Sequence, residues 1–347
     1  MVRVLIVDDS AFMRNALTTM LVSDPEITVA GTARDGIEAI EKVKSVRPDI
    51  VTMDVEMPRM DGLTALRHIM EECPVPVVMV SSLTMDGAKV TLDALDIGAV
   101  DFIPKNLSDL SLNIVNIREI LREKIKQLSK KGVARRRARP LGKAAPPPPP
   151  PARATGERRI GIVSIGTSTG GPKALQDIVP LLPKEFPVPV VIAQHMPANF
   201  TGPFAERLNQ MSGVAVKEGE NGELLRPGVV YIAPGRGHMR VLRQKGIETV
   251  IRISELKEDF IYRPSVDALM LSVAECFPGR ALGVILTGMG NDGLKGLTVM
   301  KKTGCRIFAQ DEDSCVVYGM PKAVVDAGLA DKVMPIDEIA GEIVNAA

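Results

Sequence analysis

Residues 166–172 read GTSTGGP, a glycine-rich turn with Ser168 at its centre. Such a turn either cradles a phosphate on its amides or holds up a hydroxyl as a nucleophile. A Walker A loop requires G-x-x-x-x-G-K-[ST]. Gly166 and Gly171 have that spacing, but Pro172 stands where the lysine belongs, and Ala174 follows Lys173 where Ser or Thr is needed. A dinucleotide site wants an acidic residue about 20 positions onward, whereas the next apolar run ends in Gln194-His195. The stretch Gly166-Thr167-Ser168-Thr169-Gly170 does fit G-x-S-x-G. Pro172 suits the first turn of a following helix, whose amides would face a developing oxyanion.

A serine in a tight turn becomes a nucleophile only beside a base. The chain has three histidines. His68 falls in a helical pattern of the first half and reads as a residue of an amphipathic face. His195 ends the apolar run after the serine turn, and His238 follows VVYIAPG in a glycine-rich loop. An orienting acid is available in TGMGNDG, residues 287–293, as Asp292. The order Ser, His, Asp differs from the Ser, acid, His order of α/β-hydrolases. His238 with another acid is the competing base.

The first half offers a different chemistry. Asp8 and Asp9 follow one apolar run, Asp54 ends another, Ser81 and Ser82 end a third, and Lys105 follows a fourth. Carboxylates gathered together repel unless a cation joins them. Oxygen ligands with room for water suit Mg²⁺. A carboxylate can form an acyl phosphate, so Asp54 reads as a phosphoryl acceptor.

Both constellations need β-strands that end on one side. RVLIV, ITVAGTA, DIVTMD, PVVMVSS and AVDFI read as strands separated by helical patterns, which implies a parallel (βα)5 sheet covered on both faces. After residue 158 the alternation resumes with RIGIVSIG, VPVVIAQH, VVYIAPG, RALGVILTG and CRIFAQD. MRVLRQKGIETVIRIS breaks the pattern and reads as an inserted hairpin turning at a Lys-Gly pair. The second half is therefore expected to be α/β, doubly wound and mostly parallel, with the hairpin making its sheet mixed. Ligands of such sheets sit beyond the carboxyl ends of the strands, where Ser168, His195 and Asp292 all fall.

The set DD, DVEMPRMDG, VSS and DFIPK over residues 1–126 resembles the receiver domain of two-component response regulators. The resemblance implies phosphorylation of Asp54 by a chemotaxis histidine kinase, Mg²⁺ on Asp8, Asp9 and Asp54, Ser81 as switch hydroxyl and Lys105 on the phosphoryl group. Pro104 before and Asn106 after the lysine depart from the Lys-Pro of many receivers. Over residues 158–347, GTSTGGP, AQHMP, YIAPGRGHM and TGMGNDG resemble the catalytic domain of chemotaxis protein-glutamate methylesterases, which also carry an N-terminal receiver. That implies a triad of Ser168, His195 and Asp292, with the amides of Thr169 and Met289 as oxyanion donors. It implies substrates that are glutamate methyl esters and certain glutamines of methyl-accepting chemoreceptors, and no cofactor for the ester chemistry.

Totals narrow the alternatives. A chain of 347 residues favours two domains. Its 45% hydrophobic and 24% charged residues suit a soluble globular class, and a net charge of +1 offers no field for nucleic acid. Trp is absent and aromatics are 3%, which leaves few platforms for stacking bases. The four cysteines are scattered without a C-x-x-C pair, so reduced thiols in the cytoplasm are expected. No stretch has the length of a membrane span. Residues 127–157 are basic and carry six consecutive prolines, Pro146 to Pro151, and read as a solvated, extended linker or a contact for an acidic partner.

Overall fold

The computed structural model describes residues 1–82, 84–105, 114–130, 159–244, 248–256 and 258–347. They form two compact units, one on each side of the segment 131–158. The basic polyproline stretch, Asn106 and the Lys-Gly pair at 245–246 lie outside the described residues.

The first unit alternates β1 (Val2–Val7), α1 (Ala11–Val22), β2 (Ile27–Ala33), α2 (Gly36–Val46), β3 (Ile50–Asp54), α3 (Gly62–Glu72), β4 (Val77–Ser81), α4 (Met85–Ile97), β5 (Asp101–Pro104) and α5 (Ile114–Lys130). Its five strands pair in parallel in the order β2-β1-β3-β4-β5. β3 and β4 are buried along their whole length. Their unbroken apolar runs are what a sheet covered on both faces requires. Four helices start on side-chain caps just after a strand or turn. Ser10 accepts from Met13 N, Asp35 from Glu38 N, Asp61 from Thr64 N and Thr84 from Gly87 N. Each cap fills an orphan amide and contributes about 1 kcal/mol. α5 extends to Lys130, whereas the change in composition places the start of the linker at 127.

The second unit runs β6 (Ile162–Thr167), α6 (Gly171–Ile178), β7 (Val190–Gln194), α7 (Ala198–Met211), β8 (Ala215–Glu218), β9 (Val229–Ile232), β10 (His238–Arg243), β11 (Thr249–Ser254), α8 (Val266–Cys276), β12 (Ala281–Ile285), α9 (Leu294–Lys302), β13 (Arg306–Gln310), α10 (Met320–Asp326), β14 (Lys332–Met334) and α11 (Ile336–Ala346). Seven strands form one sheet in the order β14-β13-β12-β6-β7-β9-β8, and every pairing is parallel.

The sheet is thus not mixed. The hairpin β10-β11 is antiparallel, as expected, but it forms a separate two-stranded sheet. It docks on α8 instead: Val241 N donates to Ser272 Oγ at 3.0 Å, and the Arg243 guanidinium donates to Cys276 O at 2.7 Å. β8 and β14 were not anticipated. Both are short and half polar, AVKE and KVM, and lie at the two sheet edges.

β6 is the central strand, flanked by β12 and β7. The chain winds away from it in both directions, so the loops after β6, β7 and β12 open a crevice at their carboxyl ends.

Candidate active site

Ser168 follows β6 directly. It is half-exposed, while Thr167, Thr169 and Gly170 around it are buried. Gly170 holds the turn at φ +77°, the left-handed region, where a Cβ would also collide with Val316. At Gly171 a Cβ would lie 2.0 Å from Gln194 Oε1, so only glycine lets α6 start this close to β7. The serine backbone is fixed from three sides. Ser168 N donates to Thr287 O at 3.0 Å, and Ser168 O accepts from Gly171 N at 2.8 Å and from Gln194 Nε2 at 3.0 Å. Thr287, after β12, also donates its hydroxyl to Thr169 O at 2.9 Å and accepts from Val317 N at 3.0 Å.

His195 follows β7. Its Nδ1 lies 3.1 Å from Ser168 Oγ, and its Nε2 lies 2.8 Å from Asp292 Oδ2. A carboxylate only accepts, so the ring hydrogen belongs on Nε2 and the free lone pair on Nδ1 faces the serine hydroxyl. The three residues named from sequence therefore converge at one point of the crevice.

Asp292 is held by the start of α8. Its Oδ2 accepts from Val266 N at 2.8 Å, and its Oδ1 accepts from Asp267 N at 3.0 Å and from Ser265 Oγ at 3.1 Å. Burial works against its charge, but the His195 ring and these amides outweigh it and hold the carboxyl below its usual range. α8 answers in kind. Asp267 Oδ1 accepts from Gly293 N at 3.0 Å and Gly296 N at 2.8 Å, at the start of α9. Each helix is thus capped by a carboxylate from the beginning of the other. Asp267 is pushed up, first by burial and then by the neighbouring Asp292 charge.

His238 is buried at 1% exposure and stands behind α8, its Nδ1 accepting from Ser265 N at 3.2 Å. Burial lowers its pKa from the ordinary value. His68 lies on the exposed face of α3, 3.3 Å from Glu72. Of the two oxyanion candidates, Thr169 begins the turn after Ser168. Met289 follows Gly288, whose missing Cβ would stand 2.9 Å from Ser168 Cβ. Sequence reasoning did not single out Thr287, Ser265, Asp267 or Tyr262. Ser265 carries a signal, a serine three residues ahead of Ala268 at a helix start; Tyr262 carries none.

In the first unit, one ligand atom from each of Asp8, Asp9 and Asp54 lies within 4.8 Å of the others. Lys105 Nζ pairs with Asp54 Oδ2 and lies 3.2 Å from Asp8 Oδ2. Asp8 and Asp54 are both buried, so this ammonium is shared between two carboxylates shielded from solvent. Burial pushes the Asp54 carboxyl up to about 6, with the Asp8 charge adding and Lys105 opposing. Burial also depresses the Lys105 ammonium, but Asp54 and Asp8 more than compensate and hold it above the usual lysine value. Two buried carboxylates that share one ammonium, with a third carboxylate beside them in an all-oxygen cluster, fit a hard divalent cation. Ser81 is fully buried. Its hydroxyl donates to Gly87 O at 3.3 Å and accepts from Thr91 Oγ1 at 2.7 Å, both in α4.

Comparison with known proteins agrees with this division. Residues 163–343 match the CheB methylesterase family, and residues 4–114 match the response regulator receiver domain family. A protein-glutamate methylesterase/protein-glutamine glutaminase of Oleidesulfovibrio alaskensis is 52% identical, covering 100% of this chain and 99% of its own. One from Lawsonia intracellularis is 47% identical, covering 100% of this chain and 99% of its own. The crystal structure of the Thermotoga maritima CheB methylesterase catalytic domain superposes with a TM-score of 0.53 at 43% identity, covering 55% of this chain and 100% of that one.

Proposed function

The chain belongs to the CheB methylesterase family, and from that premise we propose that it is a phosphorylation-regulated serine hydrolase of chemotaxis adaptation. It removes methyl groups from glutamate esters of methyl-accepting chemoreceptors, deamidates particular glutamines there, and works in the cytoplasm. No described helix is long and apolar enough to cross a membrane.

One observation carries the reading: His195 bridges Ser168 Oγ and Asp292 Oδ2 through its two ring nitrogens. Ser168 Oγ attacks the glutamyl ester carbonyl while Nδ1 takes its proton. Asp292 stabilises the imidazolium that forms. The amides of Thr169 and Met289 receive the oxyanion, beside the amino end of α6. The imidazolium returns the proton to the leaving oxygen, and methanol departs. Water, deprotonated by Nδ1, then hydrolyses the acyl-enzyme to a glutamate carboxylate and restores the serine. Deamidation follows the same course with ammonia as leaving group.

Control lies in the receiver. Asp54 is the phosphoryl acceptor, a chemotaxis histidine kinase the donor, and Lys105 the cation that meets the incoming phosphoryl oxygens. Ser81 is the hydroxyl that follows the new charge. Asp8, Asp9 and Asp54 would hold Mg²⁺, which when bound neutralises charge on the phosphoryl group.

Ser168→Ala tests the nucleophile. Release of methanol from receptor membranes carrying labelled methyl esters should fall on the order of 10⁶-fold, as in other serine hydrolases. A near-normal rate would remove Ser168 from the chemistry.

A further inference from the structure

Tyr262, in the loop between β11 and α8, lies flat on the His195 imidazole. The ring centroids are 4.3 Å apart and the planes 14° from parallel. Three loops therefore meet on this ring. The β6–α6 turn brings Ser168 to Nδ1, and the β12–α9 loop brings Asp292 to Nε2. Tyr262 takes one face. Asp267 stands behind Asp292, and His238 stands beyond Ser265. Neighbouring Ile261 is 89% exposed. Tyr262 alone of that pair turns inward, onto the base. Burial, then the Asp292 charge, raises its phenol above the ordinary value, which keeps the ring neutral at neutral pH.

The electron-rich face of an aromatic ring attracts a cation more than a neutral ring. Imidazole is a cation only after it has taken the serine proton. We propose that Tyr262 is a positioning residue for the acyl transfer, a stacked ring that favours His195 as imidazolium and keeps its plane between Ser168 and Asp292. Gly290, two residues before Asp292, leaves room for it: a Cβ there would stand 3.3 Å from the phenol oxygen. The inference rests on the triad reading given above.

The test uses the full chain, receptor membranes and methanol release across pH. Tyr262→Phe keeps the ring and should retain kcat/KM within about twofold. Tyr262→Leu should lose about threefold to thirtyfold, the range expected of a cation–π contact. That loss should fall mainly on kcat. The acid limb of the Leu profile should move to lower pH, because imidazolium has lost its partner. Tyr262→Phe should keep the wild-type thermal unfolding midpoint and Tyr262→Leu should shift it little, since Tyr262 is only half-buried. Three results would each overturn the proposal: Leu equal to wild type, Phe as impaired as Leu, or a loss confined to KM with the acid limb unmoved. Failure of the triad reading has a separate mark, an active Ser168→Ala. Failure of this inference leaves Ser168→Ala inert.

Discussion

His195 and His238 each stand at one end of a strand, yet their surroundings give them opposite work. His195 meets a hydroxyl and a carboxylate at the crevice. His238 is enclosed, tilted against Phe260 with centroids 5.2 Å apart, and accepts from Ser265 N. That acceptor must stay unprotonated to hold the amide. The sign follows from its lowered pKa. As pH falls through the ordinary histidine value of 6.5, the unfolded chain takes the proton first, so the folded state loses stability until the buried ring also charges. Above that window the contribution is complete. His238→Gln keeps an acceptor and removes the titration. Between pH 7.5 and 5.5 its thermal unfolding midpoint should fall less than that of the wild type. Equal slopes would show that His238 is not the group that titrates. Esterase activity separates the two rings as well. His195→Ala should lose turnover on the order of 10⁶-fold, whereas His238→Gln should retain most of it.

At the scale of elements, the reciprocal capping of α8 and α9 is what fixes Asp292. Asp267→Ala would leave the Gly293 and Gly296 amides without their acceptor. Each buried orphan donor costs about 1–3 kcal/mol. Stability should drop by about that much or more, and kcat should fall because the turn carrying Asp292 loosens. Asp267→Asn keeps an oxygen and relieves the repulsion between two buried carboxylates, so it should recover most of both, measured by denaturant unfolding and methanol release. An Asn variant as damaged as Ala would mean that the charge, not the cap, matters. This pairing was not legible in the sequence. It joins residues 25 and more apart through backbone amides, and no local spacing encodes that. The strands that carry the site were legible, because β3, β4, β6 and β12 are buried on both faces and so run as unbroken apolar stretches. Their ends fix where Ser168 and Asp54 fall, and the parallel topology fixes the side. The hairpin could be read as a hairpin, but its seat on α8 depends on Ser272 and Cys276, far along the chain. β8 and β14 are too short and too polar to stand out. Tyr262 escaped for another reason: a lone tyrosine in a loop has no period, and only the fold lays it on His195.

For the whole molecule, two units with separate sites must answer to one signal. Phosphorylation places about −1.5 to −2 charges beside carboxylates that are already crowded. Lys105, now shared between Asp54 and Asp8, is the cation within reach of that charge. In the control proposed above, Ser81 leaves its partners in α4, Gly87 O and Thr91, to follow it. On that proposal the rearrangement begins at the end of β4 and enters α4. A switch from 1:99 to 99:1 needs about 5.5 kcal/mol of difference between the two states; a smaller difference gives graded control. Acetyl phosphate with Mg²⁺ should raise methanol release by the intact chain, and the rise should disappear in Asp54→Asn. In Thr91→Val the Ser81 hydroxyl loses one of its α4 partners, so the fold activation should grow or appear at lower phosphodonor. Stimulation that survives in Asp54→Asn would place the control elsewhere than this carboxylate. An unchanged response in Thr91→Val would detach Ser81 and α4 from the path between the phosphoryl group and the esterase.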